Sequence, residues 1–401
     1  MRLIFLSNVY PNPIAPGKGT FNASFVRALT AQDEVRVICP VSWTDQLRTR
    51  GRRLPPGTER LGPNLTADYP TYYFTPRILR AYYGEFMEWS IGKRVEQAIR
   101  EIRPDAIVSY WAHPDGAVAV NHARRAGIPA IAMVGGSDVL LLAKSGARRK
   151  KILETLKNAD RVVAVSEDIA ERLERDGICH SKLRVIRRGV QKEIFYPGDQ
   201  LEARRRLGLP ESRKIVIAVG RLVGVKGFDQ LIAALKKLHE QGEDILGFIL
   251  GEGELRKSLQ QQIELHGLTE RVFLPGSQPQ EKLADWYRAA DVTVLSSWSE
   301  GVPNVLLESI SCGRSFVATN VGGVSEIADP HLDRLVKTGD VAGLATGILE
   351  QLRCETGMVG RRFQPTSWEE SAELLRNEIR ACLGIGEEVN DTPRELVGVS
   401  S

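Results

Sequence analysis

The chain has 401 residues, 42% of them hydrophobic, and this length exceeds what one hydrophobic core usually supports, so two domains are expected. Its formal net charge of +4 is small, and no basic stripe with interleaved aromatic residues occurs. Nucleic acid is therefore excluded as an expected partner, because its binding needs a dense basic face.

The five cysteines are scattered and form no CxxC pair, which is typical of reduced residues in a cytosolic protein. The apolar segment at residues 1–6 is too short for a signal sequence, and no apolar run reaches the roughly 18 residues of a membrane span. We therefore expect a cytoplasmic protein, with association at the inner face of the membrane as an option.

Strand and helix patterns alternate through both halves of the chain, which predicts α/β domains with parallel sheets covered by helices on both faces. In the amino half, strands are predicted at residues 2–6, 35–39, 105–110, 128–133, 161–165 and 183–186. In the carboxyl half, they are predicted at residues 214–219, 245–250, 272–273, 292–295, 316–319 and 335–336. Two doubly wound, Rossmann-like domains follow.

Two loops of the amino half follow predicted strands and carry glycines. Gly17 and Gly19 follow the first strand, and Gly136, Ser137 and Asp138 follow the strand at 128–133. Ligands of open α/β sheets bind at the carboxyl ends of strands, so both loops are candidates for a cleft. Turns without a ligand are the alternative.

The segment 42–75 has no clear periodicity and is expected to form an excursion from the amino domain. It carries Arg48, Arg50, Arg52 and Arg53 and leads into an aromatic-rich stretch, and a second basic cluster occupies residues 148–151. Basic residues near an anionic membrane surface contribute about 1 kcal/mol each, so peripheral membrane contact is one interpretation. Solvated loop faces are the alternative.

In the carboxyl half, the strand at 214–219 breaks at Gly220 and leads to a helix beginning near Gly227. Arg221 and Lys226 flank this loop, where each can donate charge-assisted hydrogen bonds to a pyrophosphate, although such residues are often only solvated. Further on, Gly251 and Gly253 would allow a ligand close to the backbone. No third glycine follows at the dinucleotide spacing, so a nicotinamide-type cofactor site is not supported.

Two carboxylates lie where the strand at 292–295 leads into a helix. Pro303 favours the first helical position, so Glu300, Gly301 and Val302 should form the helix entrance, whose free N–H groups suit phosphate or sugar oxygens. Glu308 lies about two helical turns further along. An ordinary N-terminal acid with a solvated second glutamate is the alternative.

The order and spacing of these motifs between residues 218 and 327 resemble glycosyltransferase family 4, the retaining nucleotide-sugar transferases of GT-B fold. The motifs are Val-Gly-Arg221 with Lys226-Gly, Gly251-Glu-Gly253, Phe273-Leu-Pro-Gly276, Ser299-Glu-Gly with Glu308, and Val321-Gly-Gly-Val-Ser-Glu326-Ile. The amino half resembles it more loosely, through Ser7-Asn-Val-Tyr-Pro and Gly17-Lys-Gly19-Thr-Phe. These are similar to the branch that builds bacterial cell-wall and exopolysaccharide chains, including teichuronic-acid-type transferases.

The resemblance implies a domain organisation. It comprises an acceptor-binding domain at 1–192, a nucleotide-sugar-binding domain at 193–365 and a helix at 366–384 that crosses back to the amino domain over the interdomain cleft. Ser367, with Glu370 three residues later, is a suitable cap for this helix. The polar tail at 385–401 is predicted to be disordered.

The resemblance also implies a reaction. A hexose moves from a nucleoside-diphosphate sugar, with UDP expected, to a saccharide or lipid-linked saccharide acceptor, and the anomeric configuration is retained. No Asp-x-Asp sequence occurs, so neither a metal nor a cofactor is expected. The expected catalytic residues are Glu300, Arg221, Lys226 and His113; the expected donor-binding residues are Gly17, Gly19, Gly251, Gly253, Gly301, Val302, Glu308 and Glu326; and the expected acceptor-binding residues are Gly136, Ser137 and Asp138.

The chain departs from the family pattern at three positions. Tyr110 stands where the family often has a histidine that touches the donor hexose, and His113, three residues later, is a candidate replacement. Arg188 stands where asparagine is common, and Ser315 where proline is common. These departures leave open a catalytically silent sugar-nucleotide-binding or scaffolding subunit. An epimerase or phosphorylase of the same fold is a further alternative, although no signature of either stands out.

Overall fold

The computed structural model describes residues 1–49, 53–140, 146–354 and 360–385, without the side chain of Ser137. The strands are β1 Arg2–Leu6, β2 Glu34–Ile38, β3 Val41–Ser42, β4 Glu59–Gly62, β5 Leu65–Asp68, β6 Thr71–Tyr72, β7 Ala106–Tyr110, β8 Ala130–Val134, β9 Arg161–Ala164, β10 Leu183–Val185, β11 Lys214–Val219, β12 Ile245–Leu250, β13 Val272–Gly276, β14 Val292–Leu295, β15 Phe316–Thr319 and β16 Arg334–Val336. The α-helices are α1 Thr20–Leu29, α2 Trp43–Arg48, α3 Tyr83–Ile102, α4 Asp115–Ala126, α5 Ser137–Leu140, α6 Gly146–Asn158, α7 Glu167–Arg175, α8 Gln200–Leu207, α9 Phe228–Glu240, α10 Arg256–Leu265, α11 Gln280–Ala289, α12 Asn304–Ser311, α13 Val324–Ile327, α14 Val341–Arg353 and α15 Trp368–Cys382.

The amino domain is built on a sheet of order β10-β9-β8-β7-β1-β2-β5-β4, in which only β4 runs antiparallel to its neighbour. Alternate residues of its strands enter two separate cores. Ile4 and Leu6 of β1 pack with residues of α3, α4, α6 and α7, whereas Leu3 and Phe5 pack with residues of α1 and α15. Burial on both faces explains why the central strands are continuous apolar runs.

The carboxyl domain repeats this plan with a fully parallel sheet of order β13-β12-β11-β14-β15-β16. Val216 and Ala218 of β11 face helices α9, α10 and α14, and Ile215 and Ile217 face α11, α12 and α13. The chain leaves the first sheet at the end of β10 and enters the second at β11. The predicted fold class, with two doubly wound α/β domains, is therefore confirmed.

The segment at 42–75, predicted to form an excursion from the amino domain, contains regular elements. This segment holds α2 and four short strands; β5 extends the amino sheet beyond β2, and β3 pairs with β6. No strand there exceeds four residues, so hydrophobic periodicity is too short to detect. A buried ion pair, Arg36 Nε to Asp68 Oδ2 at 2.7 Å, ties β5 to β2, and Arg50 and Arg52 lie outside the described residues.

Helix α15 carries the chain back to the amino domain. Ser367 caps it through a reciprocal capping box with Glu370, and Trp368 meets the ring of Phe25 of α1 edge-on, with centroids 6.1 Å apart. Further along, Arg376 Nε donates to the buried Asp33 carboxylate at 2.6 Å. Of the predicted disordered tail, 386–401 lies outside the described residues. Among the described helices, none is long and apolar enough to cross a membrane.

Candidate active site between the domains

The entrance of helix α12 lies in the loop that follows β14. The helix begins at Asn304 and Pro303 occupies the cap position, one residue earlier than predicted. Pro303 has no N–H to satisfy, and no described hydrogen bond engages the backbone N–H groups of Gly301 and Val302. The side chain of Val302 is buried in the core, so only its backbone is available to a ligand.

Glu300 and Lys226, predicted from separate motifs, form an ion pair in this loop. Lys226 Nζ lies 2.6 Å from Glu300 Oε1, and Ser297 Oγ donates to the same oxygen at 2.6 Å. The two side chains are 21% and 13% exposed, so the pair is shielded but reachable from the cleft. Both of these hydrogen bonds use Oε1, which leaves Oε2 for a donor such as a sugar hydroxyl.

Arg221 lies nearby in sequence, in the loop after β11, and is exposed. Within the described part of the chain it makes no ion pair. The loop that carries it packs against the loop of Gly251 and Gly253: a Cβ at Gly251 would lie 1.9 Å from the carbonyl oxygen of Gly220, and one at Gly253 would lie 2.4 Å from that of Leu222. This packing between loops explains both glycines without a ligand, so their donor-binding role stays a prediction.

Glu308 lies on α12 and is half-buried. Tyr287 Oη of α11, fully buried, donates to Glu308 Oε2 at 2.8 Å. Burial raises the pKa of Glu308 to about 7, and the tyrosine hydrogen bond offsets part of this rise. Tyr287 was not anticipated from the sequence, where it reads as an ordinary residue of an amphipathic helix.

The two domains touch at the Glu300 loop. A Cβ at Gly136 would lie 3.1 Å from the Cα of Gly301, and one at Gly301 would lie 2.6 Å from the carbonyl oxygen of Gly135. Behind this contact, Gly322 has a φ of +53°, and a Cβ there would lie 2.1 Å from the carbonyl oxygen of Glu300. Glycines at these positions let the backbones of the two domains meet.

Residues 17–193 match the sequence model of Glycosyltransferase Family 4, and residues 199–368 match that of Glycosyl transferases group 1. The chain is 28% identical to TuaC of Bacillus subtilis, assigned to teichuronic acid biosynthesis as a glycosyltransferase, over 87% of this chain and 88% of that one. It is 30% identical to the uncharacterized glycosyltransferase MJ1178 of Methanocaldococcus jannaschii, over 72% of this chain and 78% of that one. The chain belongs to glycosyltransferase family 4.

The fold of this glycosyltransferase is also that of solved GT-B structures. Anabaena Alr3699/HepE, solved in complex with UDP and glucose, has a TM-score of 0.73 over 95% of this chain and all of that chain, at 18% sequence identity.

Glu326 of the glycosyltransferase has a different environment from the one predicted. Its carboxylate crosses to the amino domain and accepts the backbone N–H groups of Glu167 and Asp168 at 3.0 and 2.9 Å, at the start of α7, and Arg187 Nη2 donates to it at 3.0 Å. A helix N-terminus favours a carboxylate. These contacts join the two domains, and nucleotide binding by Glu326 stays a prediction.

Asp138 of the glycosyltransferase is fully buried and braces its own loop. Its Oδ1 accepts the N–H groups of Gly135 and Gly136 at 3.1 and 3.0 Å, and its Oδ2 accepts that of Ala112 at 3.2 Å. Its carboxylate is thus engaged within the protein, and direct acceptor binding by Asp138 stays a prediction. Acceptor binding by Gly136 stays a prediction, and the side chain of Ser137 lies outside the described residues.

The two glycines of the first loop differ in their surroundings. Gly17 is exposed and has open space where a Cβ would stand, whereas Gly19 has a φ of +67° and packs against the carbonyl of Val9. The predicted approach of this loop to donor phosphates remains a prediction.

His113 does not join the Lys226–Glu300 pair. It is buried, its Nε2 accepts the backbone N–H of Gly84 at 3.2 Å, and it lines a cavity of about 340 Å³ among helices α3, α4 and α6. Burial and the nearby positive charge of Arg148 lower its pKa to about 4, so it is neutral at pH 7. Its hydrogen bond anchors the start of α3, and its catalytic role stays a prediction.

Two of the departures from the family pattern meet each other in the glycosyltransferase. Arg188 donates a hydrogen bond to the hydroxyl of Tyr110, and its guanidinium lies 4.4 Å from the ring centroid of Phe21. Its Nη1 donates to Asn304 Oδ1 of the carboxyl domain at 3.2 Å. The sequence shows each departure separately, but residues 78 positions apart carry no signal that they touch.

Proposed function

We propose that this glycosyltransferase moves a hexose from a nucleoside-diphosphate sugar, with UDP as the nucleotide, to a saccharide or lipid-linked saccharide of the cell envelope or an exopolysaccharide. The new bond keeps the anomeric configuration of the donor. The observation that carries the proposal is the Lys226–Glu300 pair at the entrance of α12, where a shielded cation, a carboxylate and free backbone N–H groups adjoin the domain contact.

The donor's diphosphate would bind where positive charge is available. Arg221 is exposed and has no described carboxylate partner, Lys226 lies at the α12 entrance, and the N–H groups of Gly301 and Val302 point from a helix N-terminus. Fixed donors of this kind stabilise charge that develops on a leaving group. We therefore propose that leaving-group stabilisation requires no metal ion. Glu308 would accept hydroxyl hydrogens of the ribose.

The proposed chemical step is a same-face substitution. The bond between the anomeric carbon and the diphosphate oxygen breaks, the acceptor oxygen bonds to that carbon, and the acceptor's proton passes to the departing phosphate oxygen. Glu300 Oε2 would hold sugar hydroxyls and offset positive charge on the ring. Lys226, already bonded to Oε1, holds that carboxylate in its orientation.

The test is incubation of the full chain with UDP-, GDP- and ADP-sugars, with saccharide and polyprenyl-linked acceptors, followed by measurement of free nucleoside diphosphate and of product linkage by NMR. We expect diphosphate release with a retained linkage, unaffected by EDTA. Inverted linkage would overturn the stereochemical proposal, and interconverted sugars would indicate an epimerase. Thermal protection by a sugar nucleotide without turnover on any acceptor would indicate a silent binding subunit.

Peripheral contact with an anionic membrane is the second part of the proposal. The predicted basic cluster lies beside the aromatic segment: Lys151 Nζ is 5.3 Å from the Tyr82 ring centroid and Arg148 Cζ is 6.0 Å from that of Tyr83. Large apolar side chains are exposed around them, namely Tyr73, Ile78, Leu79, Tyr82 and Trp89. A surface of this composition suits a bilayer interface, where cations meet anionic headgroups and aromatic rings insert.

Vesicle flotation tests this contact. The wild-type chain should float with vesicles containing phosphatidylglycerol, less at high salt, and Trp89→Ala should weaken binding severalfold. Leu265→Ala is the matched control, because Leu265 is 85% exposed on a carboxyl-domain helix outside this surface. Equal flotation with neutral vesicles, or equal loss in both variants, would contradict the proposal.

A further inference from the structure

Arg188 lies in the segment that links β10 to the carboxyl domain, and its backbone is held in place on both sides. Val190 N–H donates to the carbonyl of Thr366 at 2.9 Å, and Gly189 packs so closely on Ser367 that a Cβ would lie 2.5 Å from its carbonyl oxygen. The side chain of Arg188 therefore starts from a rigid base beside the crossover to α15.

The guanidinium of Arg188 contacts only neutral groups among the described residues. Tyr110 Oη and Asn304 Oδ1 accept its hydrogen bonds, and it lies over the face of Phe21. No described carboxylate lies within ion-pair distance of it. Arginine is always protonated in proteins, so this is a permanent positive charge with no countercharge.

Unlike Arg188, the cations Lys226 and Arg187 each have a carboxylate partner. Lys226 is paired with Glu300, and Arg187 is paired with Glu326 at 3.0 Å. Asp138, a buried acid of the amino domain, accepts hydrogen bonds from three backbone N–H groups. Within residues 1–49, 53–140, 146–354 and 360–385, no carboxylate thus pairs with Arg188. Partly exposed cations of this kind are suited to anionic ligands.

The surroundings of Arg188 lie at the carboxyl ends of strands, where ligands of α/β sheets bind. Tyr110 ends β7, Gly135 follows β8, and Asn304 begins α12. Gly135 lets Tyr110 and Arg188 pack directly against its backbone, because a Cβ there would lie 1.9 Å from Tyr110 Oη and 3.0 Å from Arg188 Nη2. The same Gly135 touches Gly301, next to Glu300. The charge therefore borders the proposed reaction site from the amino-domain side.

We infer that Arg188 binds a negatively charged group of the substrate pair, a carboxylate or a phosphate, and so selects for it. The inference rests on the proposed function. The group has two candidate sources: the carboxylate of a uronic acid as the transferred sugar, or the phosphate that links the acceptor saccharide to a lipid. The planar guanidinium, with N–H donors beyond its two described bonds, can bind either group with paired hydrogen bonds. Tyr110 acts as a positioning residue.

Titration calorimetry and transfer kinetics on the full chain distinguish the two candidate sources of the negative charge, the donor sugar and the acceptor lipid. UDP, UDP-glucose and UDP-glucuronic acid are compared as donors, and a polyprenyl-pyrophosphate-linked saccharide is compared with the octyl glycoside of the same saccharide as acceptors. If the donor carries the charge, UDP-glucuronic acid binds about 10- to 100-fold more tightly than UDP-glucose, and Arg188→Asn removes the difference. If the acceptor carries it, Arg188→Asn removes a similar preference in kcat/KM for the pyrophosphate-linked acceptor.

Further variants keep the result interpretable if Arg188→Asn folds poorly. Arg188→Lys keeps the charge but loses the planar fork, so an intermediate preference is expected. Tyr110→Phe should raise KM for the charged substrate with little change in kcat. Arg172→Asn is the matched control, because Arg172 is 53% exposed and pairs only with Asp168 on its own helix.

Two outcomes would overturn the inference. An equal loss of affinity for UDP itself in Arg188→Asn would make Arg188 a ligand of the donor diphosphate. Unchanged preferences in a folded variant would make it structural. Absence of turnover by the wild-type chain with every donor would instead contradict the proposed function, whereas binding of the charged donor would still report on Arg188.

Discussion

Polar side chains at the ends of the two sheets are used differently. In the carboxyl domain, Lys226 and Glu300 pair with each other while remaining reachable from the cleft. In the amino domain, Asp138 and His113 are buried and satisfy backbone N–H groups of neighbouring segments. The carboxyl-domain wall of the cleft thus carries charged groups that a ligand can reach, whereas the polar groups of the amino-domain wall are engaged within the fold. Arg188 is the exception on the amino side.

The largest effect on catalysis is expected for substitution of Glu300 in the carboxyl domain. Glu300→Gln keeps the shape of the side chain but removes the charge that opposes the developing positive charge on the sugar ring. We expect kcat to fall about 100-fold or more, measured by nucleoside-diphosphate release under saturating donor. Unfolding should change little, because the side chain remains partly exposed. An unaltered kcat would remove the proposed role of this carboxylate.

In the amino domain, substitution of Asp138 should lower the stability of the fold and not the catalytic rate. Asp138→Asn replaces one accepting oxygen by an NH₂ group that cannot pair with the surrounding N–H donors. The free energy of unfolding should fall by about 2 kcal/mol, which corresponds to roughly 4–8 °C in Tm, measured by thermal denaturation. If this variant melts normally but loses acceptor turnover, Asp138 contacts the acceptor after all and the comparison between the walls fails.

The raised pKa of Glu308 leads us to expect that donor affinity depends on pH. Its pKa is raised to about 7, and a carboxylate accepts hydroxyl hydrogens better than a carboxylic acid. Donor affinity should therefore rise as pH increases through 7, up to about tenfold between pH 6 and 8, with uptake of donor accompanied by proton release. Calorimetry with UDP-glucose measures this without interference from a terminal phosphate, whose own pKa lies near 6.

The control for this prediction is Glu308→Gln, which should bind the donor with an affinity independent of pH over the same range. If the variant retains the wild-type pH dependence, another group titrates and Glu308 does not contact the ribose.

Substitution of Glu326 tests whether its contact with α7 is needed to hold the two domains together. Glu326→Ala removes a carboxylate from the N-terminus of α7 and from Arg187, so the domains should separate more readily. We expect a larger radius of gyration by small-angle X-ray scattering and a few-fold weaker donor affinity. A compact variant with unchanged scattering would show that other contacts suffice.

The smallest effect is expected for His113. Because it accepts an N–H from α3 and lies among helices of the amino domain, His113→Ala should leave kcat within about threefold and should reduce Tm. A loss of 100-fold in kcat with normal melting would restore it to the reaction. The pH profile of the wild-type enzyme should also show no inflection from this residue above pH 5.

Much of the fold could be predicted because strong local patterns coincide with buried strands. The bounds of β11, β12, β14 and β15 agree with the apolar runs, and Ser367 caps α15 as its spacing with Glu370 indicates. The order of the sequence motifs likewise predicted that Lys226 and Glu300 lie in one site. The short strands at 42–75 escaped prediction because they are held by pairing with distant partners, such as Asp68 with Arg36.

By itself, the sequence determined where the chain is apolar, where helices begin, and which charged residues follow strand ends, since these properties are local. Which of those charges remain available to a ligand depends on contacts between distant residues in the folded chain. Glu326 is engaged by the opposite domain, Asp138 by its own loop, and Arg188 by neutral partners alone. The reason is physical: the free energy of a charged group depends on its burial and on partners that can be far away in sequence, and neither is set by neighbouring residues.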